Sequence, residues 1–167
     1  MRVGRKRPLS LQRWIRTMLV NEMTEKDCRD LLARSSIGRL GCSQDNQPYV
    51  VPIYFAYELD YFYVLSTIGQ KIEWMRANPK VCIEIDEIAS ESEWVSVIVN
   101  GHYQELPEPQ YADERAHARK LLEKRYLWWQ NALGERQVKS GEELITPTFF
   151  RIRIGSMTGL RAIAEGR

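Results

Sequence analysis

The sequence predicts a mainly β protein with peripheral α-helices, built as a small antiparallel barrel that is closed or split. Three observations lead there. Segments rich in β-branched and aromatic residues recur along the chain, separated by turns rich in Gly, Pro, Asn and Asp. Helical patterns do not alternate with them as the crossovers of a parallel sheet would. A single short helix interrupts the strands, after the third of them. At 167 residues the chain suits one domain with a real core.

The elements follow in chain order. Residues 1–20 hold Arg2, Arg5, Lys6, Arg7, Arg13 and Arg16 and no acid, which is +6, so the remainder carries −4 within the total of +2. Residues 1–22 read as a basic extension and 23–167 as the barrel domain. The extension is expected to be solvated, with contact to phosphates or a membrane surface as the alternative. Thr24 is a good N-cap, with Glu25 and Asp27 placed to complement the helix dipole. Cys28, Leu31 and Leu32 share one face of that helix, which ends near Ser35. A strand follows over Ile37 to Cys42, then turn chemistry over Gln44 to Pro48.

Tyr49 to Tyr57 reads as a strand in which Pro52 signals an edge, a bulge or an opening of the ladder. Glu58-Leu59-Asp60 turns the chain into Tyr61 to Leu65. A short helix starts near Gln70, packs Ile72 and Met75, and stops at Asn78-Pro79. Val81 to Ile85 and Trp94 to Tyr103 are strands, the second interrupted at Asn100-Gly101. Residues 110–133 form a long helix with an apolar stripe of Ala112, Ala116, Leu121 and Leu122. Trp128 and Trp129, beside Tyr126, are expected to pack that helix on the barrel, with a lid over a bound ligand or a hydrophobic interaction patch as the alternatives. A charged loop covers Gly134 to Gly141. Pro147 to Ile154 alternates as a half-buried strand, and Met157 to Ala164 adds a last short one.

Composition excludes several classes. Hydrophobic residues make up 44% and charged residues 28%, an ordinary soluble balance. No apolar run is long enough to cross a bilayer as a helix, and no secretory leader is evident. The acidic body offers no nucleic-acid groove. Cys28, Cys42 and Cys82 are widely spaced, which suits a reducing cytoplasm and core packing rather than disulfides. His102 and His117, with no carboxylate cluster at ligand spacing, make no metal site.

The segment Ser66-Thr67-Ile68-Gly69-Gln70-Lys71 joins a strand end to a helix start. Free backbone N–H groups, the positive end of the helix dipole, two hydroxyls and the Lys71 ammonium together suit a phosphate. The same residue types also serve as ordinary caps, so the segment alone does not choose between the two roles.

Ile37–Leu40, Pro48–Ile53, Gly69–Cys82 and Ser96–Leu106, in that order and spacing, resemble the pyridoxamine-phosphate-oxidase-like flavin-binding family. Among its members the chain is most similar to an uncharacterised bacterial branch with a Gly-Gln-Lys-Ile-Glu-Trp-Met-Arg-type segment. The resemblance implies an FMN-binding split β-barrel that works as a homodimer, with the cofactor at the subunit interface. It implies that Val50, Val51, Pro52 and Ile53 lie along the isoalloxazine ring, largely through their backbone. It places the phosphate at Val64, Leu65, Ser66, Thr67, Gln70 and Lys71, where Gln70 replaces one cation of the family's basic pair. It assigns Trp94 and Ser96 to the partner's contribution, with interface packing as the other role for Trp94.

Residues 106–167 do not reproduce the arginine- and histidine-rich substrate site of a true pyridoxamine phosphate oxidase. Val64 stands where the nitroimidazole-reductase-like branch commonly has histidine. The implied function is a flavin-dependent oxidoreductase of open substrate, with FAD or a deazaflavin as alternatives to FMN. A reduced nicotinamide is the implied electron donor. A non-catalytic flavin or haem binder or sensor is the other reading, with His102 as the haem candidate.

Overall fold

A computed structural model describes residues 18–125 and 147–164. The expectations for Arg2 to Arg16, for Trp128 and Trp129, and for the loop from Gly134 to Gly141 lie outside the described residues. Eight strands and three helices are described. They are β1 (Met18–Glu22), α1 (Glu25–Arg34), β2 (Ile37–Gln44), β3 (Gln47–Tyr54), β4 (Ala56–Glu58), β5 (Tyr61–Thr67), α2 (Gln70–Ala77), β6 (Lys80–Ser90), β7 (Glu93–Glu105), α3 (Ala112–Glu123) and β8 (Pro147–Ala164). The strands make one antiparallel sheet in the order β3-β2-β6-β7-β8-β5-β4, with β1 also paired to β8. The sheet curls but does not close: β3 and β5 touch, yet no ladder joins them. This is the mainly β, antiparallel split barrel expected from the sequence.

Local chemistry accounts for most boundaries. Thr24 caps α1, its Oγ1 accepting from the Asp27 N–H at 3.1 Å. Thr24→Ala should therefore lower stability by about 1 kcal/mol, read from urea denaturation. Cys28, Leu31 and Leu32 are buried as expected. Asp45 and Asn46, with φ of 50° and 64°, form the two-residue turn between β2 and β3 whose twist matches the flanking strands. Pro52 lies on an edge strand, where its missing N–H leaves the sheet intact.

Four differences from the sequence reading have physical causes. The stretch from Tyr49 to Tyr57 is two strands. Phe55 breaks it, its side chain buried edge-on against Phe62 at 4.9 Å, as the chain leaves β2 to pair with β5. Residues 18–22, inside the stretch read as an extension, form β1, because the far half of β8 leaves an edge that β1 covers from Met18↔Ala164 to Glu22↔Leu160. The two expected C-terminal strands are one strand of 18 residues. Gly155 is its bulge: Asn100 pairs with Ser156 and Gly101 with Ile154, so the ladder continues past it. In α3, Ala118 and Leu122 are buried whereas Ala112 and Ala116 are exposed. The contact face of α3 is set by its seat on β5, not by the longer stripe.

The core has two parts. Inside the barrel, Leu40, Phe62, Val64, Ile83, Val97, Val99, Phe150 and Ile152 pack with Leu31 and Leu32 of α1 and Ile72 and Met75 of α2. Outside it, Ala56, Tyr63, Leu106 and Phe149 pack beneath Ala118 and Leu122 of α3. Adjacent residues such as Phe149 and Phe150 thus face different cores, as the period of a strand requires.

At the end of α2, Arg76 donates to both Glu105 oxygens at 2.8 and 2.7 Å, and the Tyr103 hydroxyl donates to the same carboxylate at 3.1 Å. These bonds, Arg76 first, hold the Glu105 carboxyl below its ordinary value, while burial pushes the Tyr103 phenol up. A depressed folded value stabilises above the unfolded glutamate pKa of about 4.3 and is lost as pH falls through the folded value. The urea midpoint should therefore drop more between pH 7 and pH 3 in the wild type than in Glu105→Gln. Equal drops would remove Glu105 from the acid response.

Candidate functional site

The opening of the barrel is set by what pairs with what. β3 pairs β2 alone, so one edge of residues 47–54 carries unpaired backbone groups. β5 pairs β8 along its length, but β4 covers its other edge only from Tyr61 to Tyr63, leaving Val64 to Thr67 open on that side. The two free edges border a slot, and the slot leads to the turn from β5 into α2.

Side chains on these edges divide by face. Ile53 and Val64 are buried in the barrel core, and Val51 packs against it. Leu65 packs with the α3 cluster. Val50 is 64% exposed on the outer face, in register with Gly41. What Val51, Ile53, Val64 and Leu65 offer the slot is therefore backbone, with the side chains serving as anchors.

At the turn, Ser66 and Thr67 are half-buried, and the Ser66 hydroxyl donates to the Thr67 carbonyl at 3.1 Å. Gly69 is the N-cap of α2, its carbonyl accepting from the Ile72 and Glu73 N–H groups at 2.9 and 3.2 Å. A Cβ built on Gly69 would meet nothing within 4 Å. Its backbone is extended, with φ of 175°, so glycine here preserves open space and not an unusual conformation. Gln70 and Lys71 occupy the first turn, Gln70 exposed and Lys71 half-buried. Lys71 also acts on the Cys42 thiol of β2, the strand α2 packs against, opposing the larger effect of burial, which pushes that thiol up. An open N-terminal turn with a cation in it fits a phosphate.

Trp94 and Ser96 are not brought to this turn within the chain. They lie on the outer face of β7, where Ser96 donates to Glu84 at 2.9 Å and Glu84 binds Arg39 at 2.8 Å. β7 stands three strands from β3, about 14 Å at the usual strand spacing. His102 sits on the same outer face, opposite Lys80 and Arg153. His117 faces Glu58 at 2.5 Å on α3. Cys28 and Cys42 are buried free thiols, and burial pushes both up, so they remain neutral. Among the described residues no cluster of His, Cys, Asp and Glu is placed to hold a metal. No helix among them is long and apolar enough to cross a membrane.

The sequence reading missed the outer face as a surface in its own right. Gly41, Cys82 and Asn100 project there from neighbouring strands. Their only signal in the sequence was period-two alternation, which does not say which strands are neighbours.

The chain is similar to known proteins over most of its length. The family model for pyridoxamine 5'-phosphate oxidase matches residues 24–161. An uncharacterized protein of Rhizobium meliloti is 41% identical over 148 residues, covering 88% of this chain and 98% of that one. The crystal structure of a FAD-binding protein from Mesorhizobium loti is 39% identical with a TM-score of 0.70, covering 87% of this chain and 98% of that one. The FAD binding protein from Mycobacterium smegmatis shares the fold at 22% identity and a TM-score of 0.61, covering 86% of this chain and 99% of that one.

Proposed function

The chain belongs to the pyridoxamine 5'-phosphate oxidase family, and on that premise we propose that it binds a flavin in the slot between β3 and β5. The observation that carries the reading is the convergence of two unpaired strand edges on the open turn at Gly69, with Lys71 beside it. In this reading the backbone of Val50, Val51, Pro52 and Ile53 reads the edge of the ring system, and Pro52 removes one donor from that row. Ser66, Thr67, Gln70 and Lys71 hold the phosphate. The first-turn N–H groups and Lys71 supply the charge, and Gly69 lets the ligand approach the backbone.

FMN is the minimal ligand this turn accommodates, and FAD is the alternative suggested by the Mesorhizobium loti protein. The bound flavin would supply the redox chemistry of an oxidoreductase, with a reduced nicotinamide as donor. The residues of this chain would bind, orient and shield it, which accords with the absence of a hydrolytic or metal motif from the sequence. Free Cys28, Cys42 and Cys82 favour a reducing compartment such as the cytoplasm.

A homodimer completes the reading. Trp94, Ile88, Ile98 and Leu160 gather on one part of the outer face, since Trp94 pairs with Ile88 and Ser96 with Leu160. Ile88 is 70% exposed, and Ile98 and Leu160 nearly half. Exposed apolar side chains grouped in this way suit a two-fold partner. The partner would then deliver Trp94 and Ser96 to a slot that their own chain does not reach.

The test is direct. Purified protein should carry flavin absorbance, or take up FMN or FAD stoichiometrically with quenching of the ligand's fluorescence. Protein that stays colourless and takes up neither would overturn the reading. Bleaching of the bound flavin by NADH or NADPH then separates an oxidoreductase from a flavin store.

A further inference from the structure

The outer face has a second half, beyond Ile98 along β7, and its chemistry differs. There a groove of about 670 Å³ runs from Pro48 and Val50 of β3 across β2, β6, β7 and β8, within the range of small-ligand sites. Gly41 and Gly155 keep it open: a Cβ at Gly41 would strike the Cys82 Sγ at 2.8 Å, and one at Gly155 would crowd the Asn100 carbonyl at 3.3 Å.

Across this groove stand Lys80, His102 and Arg153, directly opposite one another on three adjacent strands. Lys80 and Arg153 thus stand two strands apart with the His102 ring between them. Among the described residues no carboxylate lines the groove. Glu84, two residues beyond Cys82 on the same face of β6, is taken by Arg39 and Ser96. Among the described residues Lys80, His102 and Arg153 form no ion pair. The contrast with the other arginines is sharp. Arg29, Arg34, Arg39, Arg76, Arg115 and Arg161 each have a carboxylate within 4 Å. Arg125 donates to main-chain carbonyls, Arg151 to Gln104, and Arg119 lies over the Phe149 ring.

We infer that this groove is an anion site for a small phosphate-bearing molecule, held between Arg153 and Lys80 with His102 between them. The geometry supplies one planar donor fork and one ammonium on a groove whose described lining holds no acid, the arrangement that a phosphate monoester neutralises. The groove takes in Val50 of β3 but, among its described lining residues, none of 64–71, so it lies apart from the turn at Gly69.

The experiment is an NMR titration of the full chain with inorganic phosphate and with phenyl phosphate. Saturable shifts of the Gly41, Gly101 and Gly155 amides are expected. The Lys80→Gln/Arg153→Gln double variant should weaken binding about tenfold or more, the scale of lost charge-assisted bonds. Arg153→Lys should retain most of it. Both substituted side chains are exposed, so folded variants are expected, and their spectra report this directly. Shifts confined to Gln70 and Ile72, shifts that do not saturate, or an unchanged affinity in the double variant would overturn the inference. Preference for phenyl phosphate over the inorganic ion would identify an organic phosphate as the occupant, and equal affinity would identify the phosphate group alone as what is read.

Discussion

Phe150→Ala is expected to lower the stability of the fold by about 3–5 kcal/mol, the range for emptying a buried aromatic site. Phe150 is fully buried in β8, where that strand runs between β5 and β7. It opposes Val64 on one side and Glu105 on the other, and its ring lies 5.2 Å from that of Tyr103. Truncation would leave a cavity where three strands converge, and relaxation there is resisted by ladders on both sides. Domain stabilities run to about 5–15 kcal/mol, so the variant would retain a fraction of the total. Urea denaturation with matched m-values measures this. A loss below about 1 kcal/mol would mean that the site collapses freely and that Phe150 is not a keystone of the barrel. The same substitution also bears on the slot, because Val64 anchors the free edge of β5.

Lys71→Ala is expected to weaken FMN binding by about 1–3 kcal/mol, the magnitude for losing a charged hydrogen-bond partner. That corresponds to roughly 5- to 150-fold in Kd, measured by fluorescence quenching. Gln70 is neutral, so Lys71 carries the only full positive charge of the first turn of α2, residues 70–73. Gln70→Arg is expected to act in the opposite direction. If Lys71→Ala leaves the FMN affinity unchanged, the phosphate is held elsewhere. Salt gives an independent check, since an exposed turn should lose affinity as ionic strength rises.

Much of this architecture was legible in the chain because it depends on local chemistry. Thr24 with Asp27, Asp45-Asn46, Gly69 and Asn78-Pro79 each mark a boundary through a backbone preference that needs no distant partner. The family resemblance was carried likewise by the order and spacing of Ile37–Leu40, Pro48–Ile53, Gly69–Cys82 and Ser96–Leu106. Pairing was a different matter. Phe55 looks like one more strand residue until Phe62 is seen beside it. Met18 to Glu22 look like the end of a basic tail until the exposed edge of β8 is known. Gly155 reads as a strand break until the ladder to β7 shows it to be a bulge.

The same division holds at the functional surface. The residue types of the turn, two hydroxyls, a glycine and a lysine ahead of a helix, were determined by sequence alone, since a turn is made by neighbours in the chain. Only the tertiary structure decided that the free edges of β3 and β5 border one slot, and that Lys80, His102 and Arg153 stand in a row. Those relations come from hydrogen-bond ladders between distant segments, whose register is chosen by burial of the whole sheet and not by any one strand.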